Sequence, residues 1–469
     1  MTTFSIQNFG CRATDADAAS VRHQLLSQGL TLADEHSHAD VVVLNTCTVT
    51  AAADAQARDT VRKVHLANPA ARIVVTGCYA QRAPEEVAAV PGVTWVVGNS
   101  HQSDIGPFIA EDVPPVAARA GSGAACEVVP LAEIQSDSMS LARGPAKILT
   151  SDIFAQDSMF AAPTGLVTGD RTRPILKIQD GCDNRCSYCV IPFVRGNSRS
   201  LAPDAVVAQV RALVAGGTKE AAKEGAKEIV LSGINLGSYG RDLSPRAELP
   251  AVVRRILDET ELEQLRFSSI EPQDVTVDFV ALVASSDRIA PHFHVPLQSG
   301  SNRILRAMRR WYRAEHYAER IKLIRAALPD AGIGADVIVG FPGESDEDFA
   351  VTVELIERLP FTYLHVFSFS PRPGTEAAKF GVAVPSHVIR ERARSLRSLG
   401  ERKAAEFRTS RSGCRVRALT LNRAGENWTE ALTGNYLKVR IAGSHAANQW
   451  HDVRLTTSPT EVAFASAPV

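Results

Sequence analysis

The sequence predicts an α/β protein in three folded parts: an N-terminal open α/β domain, a central partial (β/α)6 barrel and a small C-terminal β-barrel. Three observations predict it. Short apolar strands alternate with amphipathic helices up to Val97, as in open parallel sheets. Six strand-like runs separated by mostly helical stretches then fill the middle of the chain. After Gly400 short strands joined by turns replace the helices. The expected bounds are 1–118, a linker or insertion over 119–167, 168–399 and 400–469.

The elements follow in order. Phe4–Ile6 reads as a strand and Asp15–Gln28 as a helix with Val21, Leu25 and Leu26 on one face. Asp40–Leu44 is a continuous apolar run, the pattern of a parallel strand buried on both faces. A helix over Thr50–Leu66 and strands at Arg72–Thr76 and Thr94–Val97 complete the first part. From Ala118 to Thr168 the pattern decays into Gly121-Ser122-Gly123, isolated prolines and scattered serines. The central strands are Ile175–Ile178, Glu228–Leu231, Gln264–Ser268, His292–Val295, Gly334–Val339 and Tyr363–Phe369. Those of the last part are Val416–Leu421, Trp428–Leu432, Leu437–Ile441 and Asp452–Leu455. Lys219–Glu224 looks like an inserted helical turn.

The 469 residues, 45% apolar and 22% charged, have the balance of a globular protein, and no apolar run is long enough to span a membrane. The N-terminus lacks a basic region followed by an apolar one, so a cytoplasmic location is expected, where clustered cysteines read as metal ligands before disulfides. The net charge of −1 is unevenly spread. Arg303–Arg325 carries a net +6 and Arg390–Arg417 a net +7, either two basic surfaces for phosphates or two solvated helix faces. Trp311, Tyr312 and Arg313, beside Arg309 and Arg310, offer a stacking surface or ordinary helix packing.

Six of the eight cysteines form two triplets. Cys182, Cys186 and Cys189 have C-x3-C-x2-C spacing in a loop after a strand. Three such thiolates hold three irons of a cubane and leave the fourth iron open; a structural zinc would want a fourth local ligand, and none follows. Cys11, Cys47 and Cys78 are dispersed, but each follows a strand of the same expected sheet, at the edge where open α/β sheets place ligands. Gly10, Thr46 and Gly77 beside them would let backbone approach a bulky inorganic group. These three read as a second cluster site, with three buried core cysteines as the alternative. Cys126 and Cys414 read as spare thiols. His292 and His294 share a strand face and read as lining histidines; Glu271, before Pro272, faces either the barrel cavity or solvent.

The Cys182–Cys189 loop, with Tyr188 before the third cysteine, resembles the C-x3-C-x-aromatic-C signature of radical S-adenosylmethionine (SAM) enzymes. Apart from the linker, the whole chain is similar to the methylthiotransferase family. The motifs are Asn45-Thr-Cys47-Thr-Val-Thr50, Thr76-Gly-Cys78, Ile191-Pro192 through Arg195-Gly196, Leu231-Ser-Gly-Ile-Asn-Leu-Gly-Ser-Tyr239-Gly240, Pro296-Leu-Gln-Ser-Gly-Ser301 and Val337-Ile-Val-Gly-Phe-Pro-Gly-Glu344. Lys177-Ile-Gln-Asp-Gly181, Phe267-Ser-Ser-Ile-Glu271-Pro272, Leu364-His-Val-Phe367 and Cys11-Arg12 are similar to the branch acting on N6-threonylcarbamoyladenosine of tRNA, just 3′ to the anticodon. Thr14 and Leu201 depart from the family pattern, which has Asn and Arg there.

The resemblance implies two [4Fe–4S] clusters and SAM. Cys182, Cys186 and Cys189 would hold the cluster that chelates SAM, and Cys11, Cys47 and Cys78 the one that supplies sulfur. Tyr188 would sit against the SAM adenine, with Gly233, Gln298, Ser299 and Gly340 lining the same cofactor. The implied reaction replaces the C2 hydrogen of the adenine with a methylthio group, a step that needs cofactor power. Implied partners are tRNA, held by the basic stretches and a TRAM-like C-terminal barrel, and an electron donor such as a flavodoxin or ferredoxin. The alternatives are the isopentenyladenosine branch, the branch modifying an aspartate of ribosomal protein S12, and a non-enzymatic RNA-binding protein with a structural metal.

Overall fold

The computed structural model describes residues 2–33, 38–112, 146–160, 172–216, 225–456 and 463–466. They fall into two units: Met1–Pro163 with Val190–Asn197, and Thr164–Cys189 with Ser198–Val469. The expected helical turn at Lys219–Glu224, and Cys126, lie outside the described residues.

The first unit is built on a parallel sheet of six strands in the order β2-β1-β3-β4-β5-β6. These are β1 (Thr3–Asn8), β2 (Thr31–Leu32), β3 (Val41–Thr46), β4 (Arg72–Gly77), β5 (Val93–Val97) and β6 (Lys147–Leu149). Alternation along β3 explains why its first four residues are all apolar. Val41 and Val43 join Phe4, Val21, Leu25 and Ile105 on one face. Val42 and Leu44 join Val61, Ile73 and Val75 on the other. Helices α1 (Arg12–Ser27), α2 (Ala51–Ala67), α3 (Cys78–Arg82), α4 (Pro84–Ala88) and α5 (Ile105–Asp112) lie between the strands in sequence. β6 falls in the segment read from sequence as linker; it pairs with β5 through Trp95↔Lys147 and Val97↔Leu149. Three residues, two of them exposed, carry too little pattern to announce a strand.

In the second unit β7 (Ile175–Asp180), β9 (Glu228–Gly233) and β10 (Gln264–Phe267) run parallel, with β8 (Arg199–Ser200) antiparallel at the edge of β7. β11 (His292–His294), β12 (Gly332–Val339) and β13 (Tyr363–Ser368) form a second parallel group. The bridges Leu265↔Ile289 and Ser269↔His294 connect the two groups into one partial barrel. Strand alternation sorts its residues. Leu176, Ile178, Ile229, Leu231, Leu265, Phe267, Phe293, Ile333, Ala335 and Val337 enter the core beneath the helices. Lys177, Gln179, Glu228, Arg266, His292, His294, Asp336, Tyr363 and His365 therefore share the opposite, concave face. The polar lining is what makes this barrel a site rather than a filled core.

Arg266 and Glu228, both 0% exposed, pair at 2.7 Å on that face, and Arg173 reaches the same carboxylate at 3.1 Å. Arg266 also donates to the carbonyls of Gly434 and Thr433. Burial alone would raise the Glu228 carboxyl, but the two guanidinium groups hold it below its ordinary value. Its contribution is therefore present above the ordinary carboxyl range and lost as pH falls through the lowered value. Glu228→Ala, which strands Arg266, is expected to cost about 3–5 kcal/mol in urea unfolding at neutral pH.

The 25-residue helix Ser386–Ser410 runs through the compositional break at Gly400. Beyond it Arg415–Gly425, Trp428–Thr433, Lys438–Ala442, Trp450–Thr456 and Ala463–Ser466 close a small barrel. The last of these strands is one the sequence reading did not identify. Among the described residues, no helix is long and apolar enough to cross a membrane.

Candidate functional site

In the first unit, parallel register explains how three dispersed cysteines converge. Asn8 pairs with Asn45, Asn45 with Thr76 and Thr46 with Gly77, so the chain leaves β1, β3 and β4 at one level. Cys11 caps α1, Cys47 follows β3 and Cys78 opens α3. The Asn45–Thr50 motif fixes the Cys47 loop residue by residue. Asn45 Nδ2 donates to Thr14 O at 2.7 Å and Thr46 Oγ1 to Thr76 O at 2.6 Å. Thr48 Oγ1 donates to Asp54 at 2.6 Å, and Thr50 caps α2 through Ala53 N. Glycine is needed at two places. Gly10 has φ +135°, and a Cβ there would lie 2.8 Å from Cys47 Cβ; Gly77 has φ +95°, and a Cβ would lie 2.4 Å from Thr46 O.

Polar groups surround these thiols. Asn99 Nδ2 lies 3.6 Å from Cys78 Sγ and also donates to Val194 O at 2.7 Å. Arg195 pairs with Asp17 at 2.7 Å, both fully buried. Burial pushes the Cys47 thiol up to about 12, the neighbouring Cys78 and Cys11 add to this, and Cys78 is raised the same way. Thiols so placed give up their protons to a metal, not to water. Thr14, where the family pattern has Asn, closes the loop by donating to Cys11 O at 2.7 Å.

In the second unit the loop after β7 carries Cys182, Cys186 and Cys189. Gly181, at φ +70°, starts it, and Gln179 Nε2 donates to the carbonyls of Asp180 and Gly181. Asp183 accepts from Ser198 N, Ser187 N donates to Met308 O, and Cys189 N closes a turn onto Cys186 O. Every segment of the loop is thus tied down before any cofactor is considered. Burial pushes the Cys182 thiol up to about 11, with Cys186 and Glu271 adding to it.

Arg310 belongs to this site, which the sequence reading missed. Its side chain is 5% exposed, and Nη1 donates to Cys186 Sγ at 3.4 Å. Nη2 pairs with Glu271, Nε donates to Tyr312 Oη at 3.3 Å, and the guanidinium lies 5.0 Å over the Tyr312 ring. Tyr312 Oη in turn donates to Pro296 O and Leu297 O. Arg310 and Tyr312 therefore cannot form the RNA-stacking surface read from sequence; Trp311, 77% exposed, remains outside. Glu271 is half-buried, and desolvation raises its carboxyl even beside Arg310.

The residues expected around SAM have distinct surroundings. Tyr188 packs against Ile304, Met308, Phe341 and Ala377. Gln298 has φ +64°, an uncommon conformation for a side-chain-bearing residue, locked by its N donating to Asp336 O and its O accepting from Ile338 N. Ser299 is fully buried, accepting from Ser301 N. A Cβ at Gly233 would lie 2.8 Å from Gln179 Oε1, and one at Gly340 (φ +76°) 2.4 Å from Ile389, so packing and turn geometry already require both glycines. Leu201, where the family pattern has Arg, packs against the barrel core.

The basic stretches are less free than their sequence suggests. Arg392 is buried against Glu344 and Asp346, and Lys403 donates to the carbonyls of Glu357 and Leu359. Arg402, Arg411 and Arg417 pair with Glu357, Asp330 and Glu263. Arg390, Arg394, Arg397 and Arg415 stay exposed and unpaired among the described residues. On the terminal barrel Arg417 lies 4.3 Å over Trp450 and Arg440 4.4 Å over Trp428.

Each triad offers three free thiols, the number that a cubane with one open iron takes. All seven described cysteines are free. Among the described residues the three ligand atoms that lie within 4.8 Å of one another belong to His294, Asp336 and His365, not to either cysteine triad. Thiolates of a cubane sit on separate irons and are spread wider than the ligands of one zinc ion.

Residues 176–356 match the Radical SAM superfamily, and residues 3–98 match a model described as Uncharacterized protein family UPF0004. The fold is similar to that of the radical S-adenosylmethionine methyltransferase TsrM from Kitasatospora setae (TM-score 0.54, 15% identity, 80% of this chain and 77% of that one). The cysteine loop on a partial barrel thus defines a radical SAM protein, a class that uses a [4Fe–4S] cluster and SAM. The chain is 35% identical, over 94% of its length and 96% of the relative's, to the threonylcarbamoyladenosine tRNA methylthiotransferase MtaB of Aquifex aeolicus. It is 34% identical to the protein of that name from Bacillus subtilis (95% and 91% covered), and 35% identical to the tRNA-2-methylthio-N(6)-dimethylallyladenosine synthase of Thermobifida fusca (90% and 78%). The chain belongs to the radical SAM methylthiotransferase family.

Arg310→Met should leave the cysteines in place but remove a charge-assisted donor to Cys186. Hydrogen bonds to cluster sulfurs favour the reduced, more negative state. The variant is expected to show a more negative cluster midpoint potential and about tenfold slower SAM cleavage, read by redox titration and by single-turnover assay.

Proposed function

We propose that this enzyme converts N6-threonylcarbamoyladenosine, 3′ to the anticodon of tRNA, to its 2-methylthio derivative. The observation that carries the chemistry is the pair of cysteine triads, each held by residues of its own unit at the ends of parallel strands. The substrate rests on similarity along nearly the whole chain to proteins of that name in several organisms.

In this reading Cys182, Cys186 and Cys189 hold the [4Fe–4S] cluster, with Tyr188, Gly233, Gln298, Ser299 and Gly340 toward SAM. When bound, that pair supplies reductive cleavage of SAM, the power that an aromatic C–H bond demands. Cys11, Cys47 and Cys78 hold a second cluster, which supplies the sulfur. The protein's own contribution is positioning. Arg310, fixed by Glu271 and Tyr312, steadies the charge on Cys186. Arg195 and Asn99 do the same around Cys78, with Asp17 holding Arg195 in place. Gly10 and Gly77 hold the backbone close to the first triad.

The four-part division at 118, 167 and 399 assigns sulfur supply to the N-terminal part, radical chemistry to the barrel and tRNA docking to the TRAM-like terminal part. Trp428–Arg440 and the exposed Arg390, Arg394, Arg397 and Arg415 suit a phosphate backbone with unstacked bases. A cytoplasmic flavodoxin or ferredoxin is the fitting reductant.

The test is a competition assay. Reconstituted enzyme receives equal amounts of tRNA carrying N6-threonylcarbamoyladenosine and tRNA carrying N6-isopentenyladenosine, and nucleosides are analysed by mass spectrometry. Methylthio product from the first alone is expected. Product from the second alone would move the enzyme to the isopentenyl branch, and product from neither would refute a tRNA substrate of this kind.

A further inference from the structure

On the concave face of the barrel, β11, β12 and β13 bring together three groups that neither cysteine site uses. Phe293, Ile333, Ala335 and Val337 of these strands point into the core, so His292, His294, Asp336, Tyr363, His365 and Phe367 share the other face. Asp336 Oδ1 lies 3.1 Å from His365 Nδ1 and 3.1 Å from His294 Nε2. His294 Nδ1 meets Ser269 Oγ at 2.7 Å. Glycines make room for this layer: a Cβ at Gly334 would lie 2.0 Å from the Tyr363 ring. Tyr363 and Phe367 flank His365, with ring centres 5.2 and 6.5 Å away.

Burial alone would push Asp336 up, yet the two rings hold it well below the usual carboxylate range. An ionised carboxylate only accepts, so His365 Nδ1, which hydrogen-bonds it, carries the hydrogen of that contact; His294 Nε2 lies at ion-pair distance from the same oxygen. Ser269 occupies the far nitrogen of His294. The far nitrogen of His365, Nε2, is left with no partner among the described residues, on a side chain that is 53% exposed. A ring anchored to one carboxylate leaves its other edge open to a ligand, and a second carboxylate there would be bridged to Asp336 through the ring's two nitrogens.

We infer that His365, oriented by Asp336 and His294, is the subsite for the free carboxylate on the N6 substituent of the target adenosine. The inference rests on the threonylcarbamoyl reading, because that substituent ends in a carboxylate and an isopentenyl group does not. His365 is a specificity residue here. Asp336 and His294 act through it as positioning residues.

The experiment uses reconstituted full-length enzyme with SAM bound, under anaerobic conditions. Three anticodon stem-loop RNAs differ only at the target base: N6-threonylcarbamoyladenosine, its methyl ester, and N6-isopentenyladenosine. Affinities are measured for the wild type, for His365→Phe, which keeps the ring, and for His365→Gln. Wild type is expected to bind the carboxylate form about tenfold or more tighter than the ester, the worth of one hydrogen bond to a charged group. Both variants should bring that ratio close to one and leave the ester and isopentenyl affinities unchanged. Equal losses for all three RNAs would mean a structural role and overturn the inference, as would an unchanged ratio. Discrimination that appears only with added Zn2+ or Mn2+ and vanishes with a chelator would overturn it in favour of a metal site. A wild type that methylthiolates the carboxylate substrate yet binds acid and ester alike defeats the subsite and spares the proposed function; one that modifies only isopentenyl tRNA defeats the function itself.

Discussion

Cys186→Ala is expected to abolish SAM cleavage and methylthiolation together, each by well over about a hundredfold, since loss of an outer-shell partner alone is worth about 10–100-fold at a metal site. Cys186 is the cysteine that Arg310 addresses, and its loop is pinned by protein hydrogen bonds through Ser187, Met308, Asp183 and Ser198. The variant should therefore remain folded. Circular dichroism and thermal unfolding check that, while chromatography of 5′-deoxyadenosine and of tRNA nucleosides reads the two activities. Retained SAM cleavage in a folded Cys186→Ala protein would remove the Cys182–Cys189 loop from the chemistry.

Cys11→Ala should separate the two activities. Cys11 is an exposed thiol at the start of α1, bound into no core, so its loss costs little stability. Cleavage of SAM is expected to continue at near the wild-type rate while methylthio product falls by more than about a hundredfold. Thr14→Ala, which removes the hydrogen bond to Cys11 O without removing a thiol, should fall between the two. Loss of both activities in a folded Cys11→Ala protein would show that the triads do not have separable roles.

Much of this was legible in the sequence because buried parallel strands are apolar throughout. The runs at Val41–Leu44 and Arg72–Thr76 mark β3 and β4, and the three dispersed cysteines follow from strand topology once those strands are placed. The short strands β6 and Ala463–Ser466 were not legible, because their identity comes from the neighbours they pair with. Pairings across long sequence separations were invisible for the same reason. Asp17 meets Arg195 178 residues away, and Glu271 meets Arg310 39 residues away. The charge runs misled most. Counting Arg392, Lys403, Arg310 and Arg417 as free cations ignored the carboxylates and carbonyls that the fold sets against them. His292 and His294 share the expected strand face, but nothing in their strand foretold Asp336 or His365 from the two strands beyond.

The proposed chemistry requires two separate cluster sites. Anaerobic iron and acid-labile sulfide analysis of the reconstituted protein, beside its Cys182→Ala/Cys186→Ala/Cys189→Ala variant, measures this directly. About eight irons in the wild type and about four in the variant are predicted, from one cubane per triad. About four irons in the wild type and none in the variant, or zinc in place of iron, would contradict it, leaving Cys11, Cys47 and Cys78 without a cluster and the sulfur without a source.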